Sequence, residues 1–299
     1  MRIMVATDGS SHAAHTTELV AGITWPPDSI LRIISVIEPS LVFLSPWLGG
    51  AATYSPDLDA QVETYQQAEM ATVVRHLGAA NRTVEGAVLR GRPATVIVDE
   101  ASTFDADLVI VGSRGRGPIA SLVLGSVSSE VVDHAPCPVL VARTSGLVRV
   151  VLAADGSPSA ATAEAVIARW PIFDGLPIRV ASVADLAQPW HTGMAAPTYD
   201  QVIEAHARDL KEATAEHQRI ANESVERLRA AGRDSTAEVR TGDAASEIIA
   251  AAREWNADLV VLGSRGRTGL TRLLLGSVAR NVVYGSAASI LVVREPVRV

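Results

Sequence analysis

The sequence predicts an α/β protein of two tandem doubly wound parallel-sheet domains, five strands in each. Three observations carry this. The 299-residue chain repeats itself once, roughly half its length apart. Within each copy, short β-branched apolar runs alternate with helix-patterned stretches. Directly after one such run, each copy has nearly the same glycine-rich segment: GSRGRGPIASLVLGS at 112–126 and GSRGRTGLTRLLLGS at 263–277.

The repeat sets the domain plan. VATDGS from Val5 returns as LAADGS from Leu152, and ISVIEP from Ile34 returns as ASVADL from Ala181. Further on, DADLVIVGSRGRG from Asp105 returns as NADLVVLGSRGRTG from Asn256, and PCPVLVAR from Pro136 as AASILVVRE from Ala287. These later matches are spaced four residues wider. The extra residues fall between Leu186 and Val239, in loop or surface helix, where insertions are tolerated. A period this long is no solenoid. It is one domain written twice, residues 1–145 and 146–299, with the boundary near 145–148.

The elements follow in order. In the first half, residues 2–7, 30–37, 83–90, 107–112 and 138–143 read as strands. Runs such as LVIVG and PVLVAR are continuous and β-branched, which suits strands buried on both faces of a parallel sheet. Residues 10–21, 57–79, 93–103 and 126–134 carry helical patterns. Ser10, and Ser157 in the second half, follow a glycine and can cap the first helix. Pro93 suits a first-turn position. The second half repeats the strands at 149–154, 178–183, 235–241, 258–263 and 290–294, with a long polar helix at about 198–231. Right-handed crossovers then give an open doubly wound sheet, Rossmann-like in outline. Two stretches after the second strand interrupt the pattern: 38–56, with Phe43, Trp47, Gly49 and Gly50, and its counterpart 185–197, with Trp190 and His191. Such long loops are lids, partner surfaces or plain insertions.

Composition excludes several classes. The net charge is −7, from 26 Lys and Arg against 33 Asp and Glu. A nonspecific nucleic-acid or anionic-membrane binder would carry a basic excess. Aromatics make up 4% of residues, too few for a stacking platform or sugar cleft. The single cysteine, Cys137, rules out an intrachain disulfide and a cysteine metal cluster, and fits a small buried residue at a strand start. A reducing cytoplasmic setting is the expectation. The N-terminal MRIMVATDGSS reads as strand and turn rather than a signal peptide. No run of about 18 apolar residues points to a membrane span.

Both glycine segments follow G-x2-G-x9-G-S: Gly112, Gly115, Gly125, Ser126 and Gly263, Gly266, Gly276, Ser277. In an open α/β sheet, ligands sit beyond the carboxyl ends of the strands, at the topological switch. The first two glycines are expected to turn with positive φ and aim their amides at an anion, while the missing Cβ permits close approach. The apolar spacer returns the third glycine to the same rim, and Ser126 or Ser277 opens a helix whose N-terminus favours phosphate. Arg114, Arg116, Arg265, Arg267 and Arg272 add positive charge. The reading is a diphosphate or triphosphate cradle built mostly of backbone; the plain alternative is a turning loop. Asp8 and Asp155, after the first strand of each half, either cap the next helix or hold a ribose hydroxyl or a metal on the phosphates. Val36 and Val183, at the end of the second strand, fall where an apolar wall would face the base. His12 and His15 lie three apart on the first helix, but Ser159 and Thr162 replace them in the second half and no third ligand follows.

The doubled glycine pattern, the DGS after the first strand and the APCPVLVAR closing the first copy resemble the universal stress protein family, in the tandem form found in actinobacteria. The likeness covers essentially the whole chain. It implies one ATP site per half, in an ATP-binding stress-response module. On it, Ala6 and Ala153 would lie under the nucleotide and Asp8 and Asp155 would contact ribose or a magnesium ion. Gly112, Gly115, Gly125, Ser126, Gly263, Gly266, Gly276 and Ser277 would bind phosphates and ribose. The flanking Ser113, Arg114, Arg116, Gly117, Ser264, Arg265, Arg267, Thr268, Gly269 and Val278 complete the expected cofactor sites. The family's habit of pairing through the last strand implies an internal pseudo-dimer of the two halves and leaves a homo-oligomer open. Ala184 and Asp185 stand where the first half has Ile37 and Glu38, which allows unequal sites.

Three functions fit: a regulatory module that binds ATP and signals to a protein partner, a slow ATPase or ATP-dependent enzyme, and a partner-binding protein whose sites have lapsed. No glycine-lysine-Ser/Thr phosphate loop is present, and no positioned base or nucleophile is evident. The intact glycines disfavour lapsed sites. The binding module is the expectation.

Overall fold

The computed structural model describes residues 1–38, 41–43, 52–54, 56–78, 82–113, 124–185, 196–266 and 275–294. The chain divides into two compact units, Met1–Gly146 and Leu147–Glu295.

In the first unit the elements run β1 (Arg2–Ala6), α1 (Ser11–Gly22), β2 (Ile30–Ile37), β3 (Leu41–Phe43), β4 (Ala52–Tyr54), α2 (Pro56–Leu77), β5 (Thr83–Arg90), α3 (Pro93–Thr103), β6 (Leu108–Gly112), α4 (Ser126–His134) and β7 (Val139–Ala142). Its main sheet has the order β7-β6-β1-β2-β5, all parallel. The strand order reverses between β1 and β6, so the carboxyl ends of these two strands flank the topological switch. Residues Ile3, Leu31, Ile33, Leu108 and Ile110 are fully buried. That is why the strands read as unbroken apolar runs: helices cover both sheet faces. Helices α1 and α2 pack on one face, α3 and α4 on the other.

The second unit repeats this with β8 (Val150–Ala153), α5 (Pro158–Arg169), β9 (Ile178–Ala184), α6 (Ala196–Ala230), β10 (Ser235–Thr241), α7 (Ala244–Glu254), β11 (Leu259–Gly263), α8 (Ser277–Gly285) and β12 (Ser289–Val293). The parallel order is β12-β11-β8-β9-β10. Two features were not anticipated: an antiparallel hairpin of β3 with β4 in the first unit, and a 3-10 turn at Pro171–Phe173 in the second. Trp47, Gly49, Gly50, Trp190 and His191 lie outside the described residues.

Repeated sequence corresponds to repeated structure at the far end of the strands as well. Asp105 and Asn256 take left-handed φ values of 58° and 52°, a conformation that Asp and Asn tolerate best among side-chain-bearing residues. Just after them, Asp107 accepts from the Arg2 amide at 2.8 Å, and Asp258 accepts from the Val148 and Arg149 amides at 3.0 Å. These carboxylates satisfy donors at the starts of the central strands.

The structure also narrows where the four extra residues lie. Buried Ser35 on β2 donates to Gln66 on α2, 31 residues away, at 3.1 Å. The matching Ser182 on β9 pairs with His217 on α6, 35 residues away, at 2.8 Å. The insertion therefore precedes His217, and α6 beyond it keeps the register of α2 against the sheet. Because the Ser182 hydroxyl also donates to Ala154 O at 2.6 Å, its one proton is committed. His217 Nδ1 must then carry the hydrogen of their shared bond.

Candidate functional site

The switch-point rim of each unit begins with the turn after the first strand. Asp8 Oδ1 accepts from the Ser10 amide at 2.9 Å, and Asp155 Oδ1 accepts from the Ser157 amide at 2.9 Å. Gly9 and Gly156, at φ 71° and 78°, make the left-handed bend that lets the chain fold back in this way. Ser10 and Ser157 then cap α1 and α5, each accepting from an amide three residues on at 3.2 Å. The capping role thus falls to the serines. Each aspartate commits one oxygen to its own turn. In the second unit the other oxygen, Asp155 Oδ2, faces Gly266, where a Cβ would come within 3.1 Å of it.

In the second unit the glycine segment meets this turn across the rim, but not by the geometry expected. Gly112, Gly263 and Gly266 do not adopt positive φ. Close approach is what requires glycine here. A Cβ on Gly263 would lie 2.3 Å from Ser159 Oγ and 2.5 Å from Ser159 backbone carbon. Several amides expected to grip an anion are engaged within the protein instead. Ser113 donates to Ala142 O and Ser264 to Val293 O; Arg265 donates to Ser159 Oγ at 3.2 Å. Gly125 donates to Ser113 O at 2.9 Å and Gly276 to Ser264 O at 2.8 Å, which brings the third glycine of each segment back beside the strand tip.

The helix starts differ in a telling way. Helices α1, α5 and α7 are capped by the side chains of Ser10, Ser157 and Asp243. Helices α4 and α8 begin behind Gly125 and Gly276, which supply no side-chain acceptor. First-turn amides have no partner within their helix. At these two starts the amides of Ser126, Val127, Ser277 and Val278 stand at the rim, and Ser126 and Ser277 are exposed. The helix dipole adds partial positive charge there. Donors with that character, beside a carboxylate, suit a phosphorylated ligand with hydroxyl groups.

Other predicted positions fall at the same rim. Ala6 and Ala153 end β1 and β8; Val36 and Val183 are the penultimate residues of β2 and β9. Val183 is buried and Val36 half-buried. Arg114, Gly115, Arg116, Gly117, Arg267, Thr268, Gly269 and Arg272 lie outside the described residues. No group of three or more His, Cys, Asp or Glu suited to a metal occurs among the described residues. A groove of about 310 Å³ opens beside Gly156 between α5 and α6, but its Glu164, Arg219, Glu223 and Arg227 pair with one another. No described helix is long and apolar enough to cross a membrane. Sequence reasoning missed Ser128 and Ser159 as rim residues. Their signal was a hydroxyl in the first turn of a helix next to a motif glycine.

Comparison with known proteins agrees with this layout. The universal stress protein family matches the chain twice, over residues 1–143 and 147–294. A universal stress protein of Mycobacterium tuberculosis is 29% identical over 221 residues, covering 71% of this chain and 70% of that protein. One from Thermus aquaticus is 32% identical over 141 residues, 47% of this chain and 97% of its own length. Among solved structures, a universal stress protein from Archaeoglobus fulgidus superposes with a TM-score of 0.65 at 19% identity, covering 98% of this chain and 96% of the other.

Proposed function

Because the chain belongs to the universal stress protein family, in tandem form, we propose that it is a nucleotide-dependent regulatory module with one ATP site at the rim of each half. The observation that carries this is the pair of glycine-started helices, α4 and α8, set beside the strand tips at the switch point. Their first-turn amides would take the phosphates. Asp8 and Asp155 would hold the ribose or a magnesium ion, and Val36 and Val183 would wall the base. Bound ATP supplies negative charge and, with magnesium, a coordination centre. The protein's own part is to bind and orient, since no base or nucleophile is placed at the described rim. Occupancy would be passed on to a protein partner through the surface around the rim.

The test is calorimetry of ATP binding to the full chain with magnesium, together with identification of any nucleotide released on denaturing the native protein. About two adenine nucleotides per chain are expected, falling to one in either Asp8→Ala or Asp155→Ala. Wild-type protein that binds none at millimolar ATP refutes the proposal. Steady ATP turnover abolished by the double aspartate variant would instead make the protein a slow ATPase.

A further inference from the structure

Among the described residues a serine hydroxyl ties the strand tip or the start of the loop at each rim, and the two halves use different serines. In the first half Ser128, third residue of α4 and buried, donates to Gly112 O at 2.6 Å. The second half has Ala279 at the matching place and so lacks this tie. There Ser159, second residue of α5, accepts from the Arg265 amide at 3.2 Å, with Gly263 packed on its backbone. The first half has His12 at that place, with no hydroxyl to offer. We infer that Ser128 and Ser159 are positioning residues, one for each nucleotide pocket, and that each sets the affinity of its own pocket alone. This rests on the nucleotide-binding reading above.

The two ties act on different partners. Ser128 joins the tip of β6 to α4, the helix whose first-turn amides face the rim, and so fixes the span between strand end and phosphate donors. Ser159 joins the loop after β11 to α5, the helix that follows Asp155, and so holds loop and carboxylate as one piece. In both cases the hydroxyl sits behind the rim and preorganises groups that touch ligand, which lowers the ordering cost of binding. Loss of one hydrogen bond of ordinary strength corresponds to about a fivefold change in an equilibrium constant.

The experiment measures ATP affinity of the full chain by calorimetry, with one pocket disabled at a time: Asp155→Ala to read the first, Asp8→Ala to read the second. Ser128→Ala is expected to weaken the first pocket about fivefold and leave the second unchanged; Ser159→Ala does the reverse. Two rescues separate positioning from general damage. Ser128→Thr keeps the hydroxyl and restores the first pocket. Ala279→Ser, added to Ser159→Ala, brings the first half's tie into the second and recovers its affinity. The inference is overturned if either alanine variant binds as wild type, if either weakens both pockets alike, or if neither rescue recovers affinity. A wild-type chain that binds no ATP overturns the nucleotide-binding reading, and this inference with it.

Discussion

Gly263→Ala tests why the first motif glycine is a glycine. Its Cα rests on the start of α5, and the added methyl would lie 2.3, 2.5 and 2.6 Å from the Oγ, carbonyl carbon and carbonyl oxygen of Ser159. Comfortable carbon separations are about 3.5–4.0 Å, so α5 must retreat by roughly 1 Å. Two of the three obstructing atoms are backbone, and rotation of the serine side chain cannot relieve them. Overpacking of this kind costs about 1–3 kcal/mol. Alanine returns roughly 0.5–1 kcal/mol through the lower entropy of its unfolded chain. The net loss is about 1–2 kcal/mol. At about 2–4 °C per kcal/mol for a domain of this size, the second half should melt roughly 2–8 °C lower. Gly276→Ala is the control: its nearest contacts would be 3.4 and 3.5 Å away and its φ of −63° suits any residue. Because Gly276 is the N-cap of α8, where alanine is poorer than glycine, the substitution should cost up to about 1 kcal/mol but less than Gly263→Ala. Thermal unfolding followed by circular dichroism reads both. A Gly263→Ala protein that melts like wild type, or a Gly276→Ala protein that melts lower than the Gly263→Ala protein, would refute the close-approach argument.

Other perturbations probe the surrounding frame. Glu164 is buried on α5, where it accepts from Ser224 Oγ at 2.6 Å and from Arg227 Nε at 2.6 Å. Glu164→Ala leaves the buried Ser224 hydroxyl without its acceptor and should cost roughly 2 kcal/mol, with Glu164→Gln costing less; denaturant midpoints check the order. Asp243 caps α7, and hydrogen bonds from the Ser246 side chain and amide hold its carboxyl below the usual range. A depressed carboxylate pKa contributes stability that is present above the unfolded value and is lost as pH falls through the folded one. Asp243→Ala should therefore cost about 1 kcal/mol at neutral pH. The gap between wild type and this variant should close below about pH 4, as melting across a pH series would show. Gly156→Ala forces a side chain to φ 78° and against Ile220 at 3.1 Å, and should cost about 1–2 kcal/mol, again by melting.

The strands were legible because each is a buried run with its own local pattern, and because the chain states the pattern twice. LVIVG at 108–112 and LVVLG at 259–263 could hardly be anything else. The described rim positions at the strand tips were legible for the same reason. What local pattern could not supply was the purpose of individual groups. The steric need at Gly263 is set by Ser159, a residue more than a hundred positions distant along the chain, so a local rule about positive φ was applied where a tertiary contact governs. The aspartates looked ambiguous between capping and binding. The structure gives the cap to the serine two residues on and ties one aspartate oxygen into the turn. The β3–β4 hairpin escaped because its strands are three residues each and lie in a stretch punctuated by prolines. The pairs Ser35–Gln66 and Ser182–His217 were invisible for want of any motif linking them.

Those two pairs bear on how such a molecule can change over time. The fixed partnership of second strand and long helix, kept in both halves despite four additional residues between them, works like a post and a replaceable panel. Chain can be added or removed ahead of the post while the wall behind stays true. Whatever each half exposes ahead of that pair is thus free to diverge, so one duplicated scaffold can carry two different surfaces.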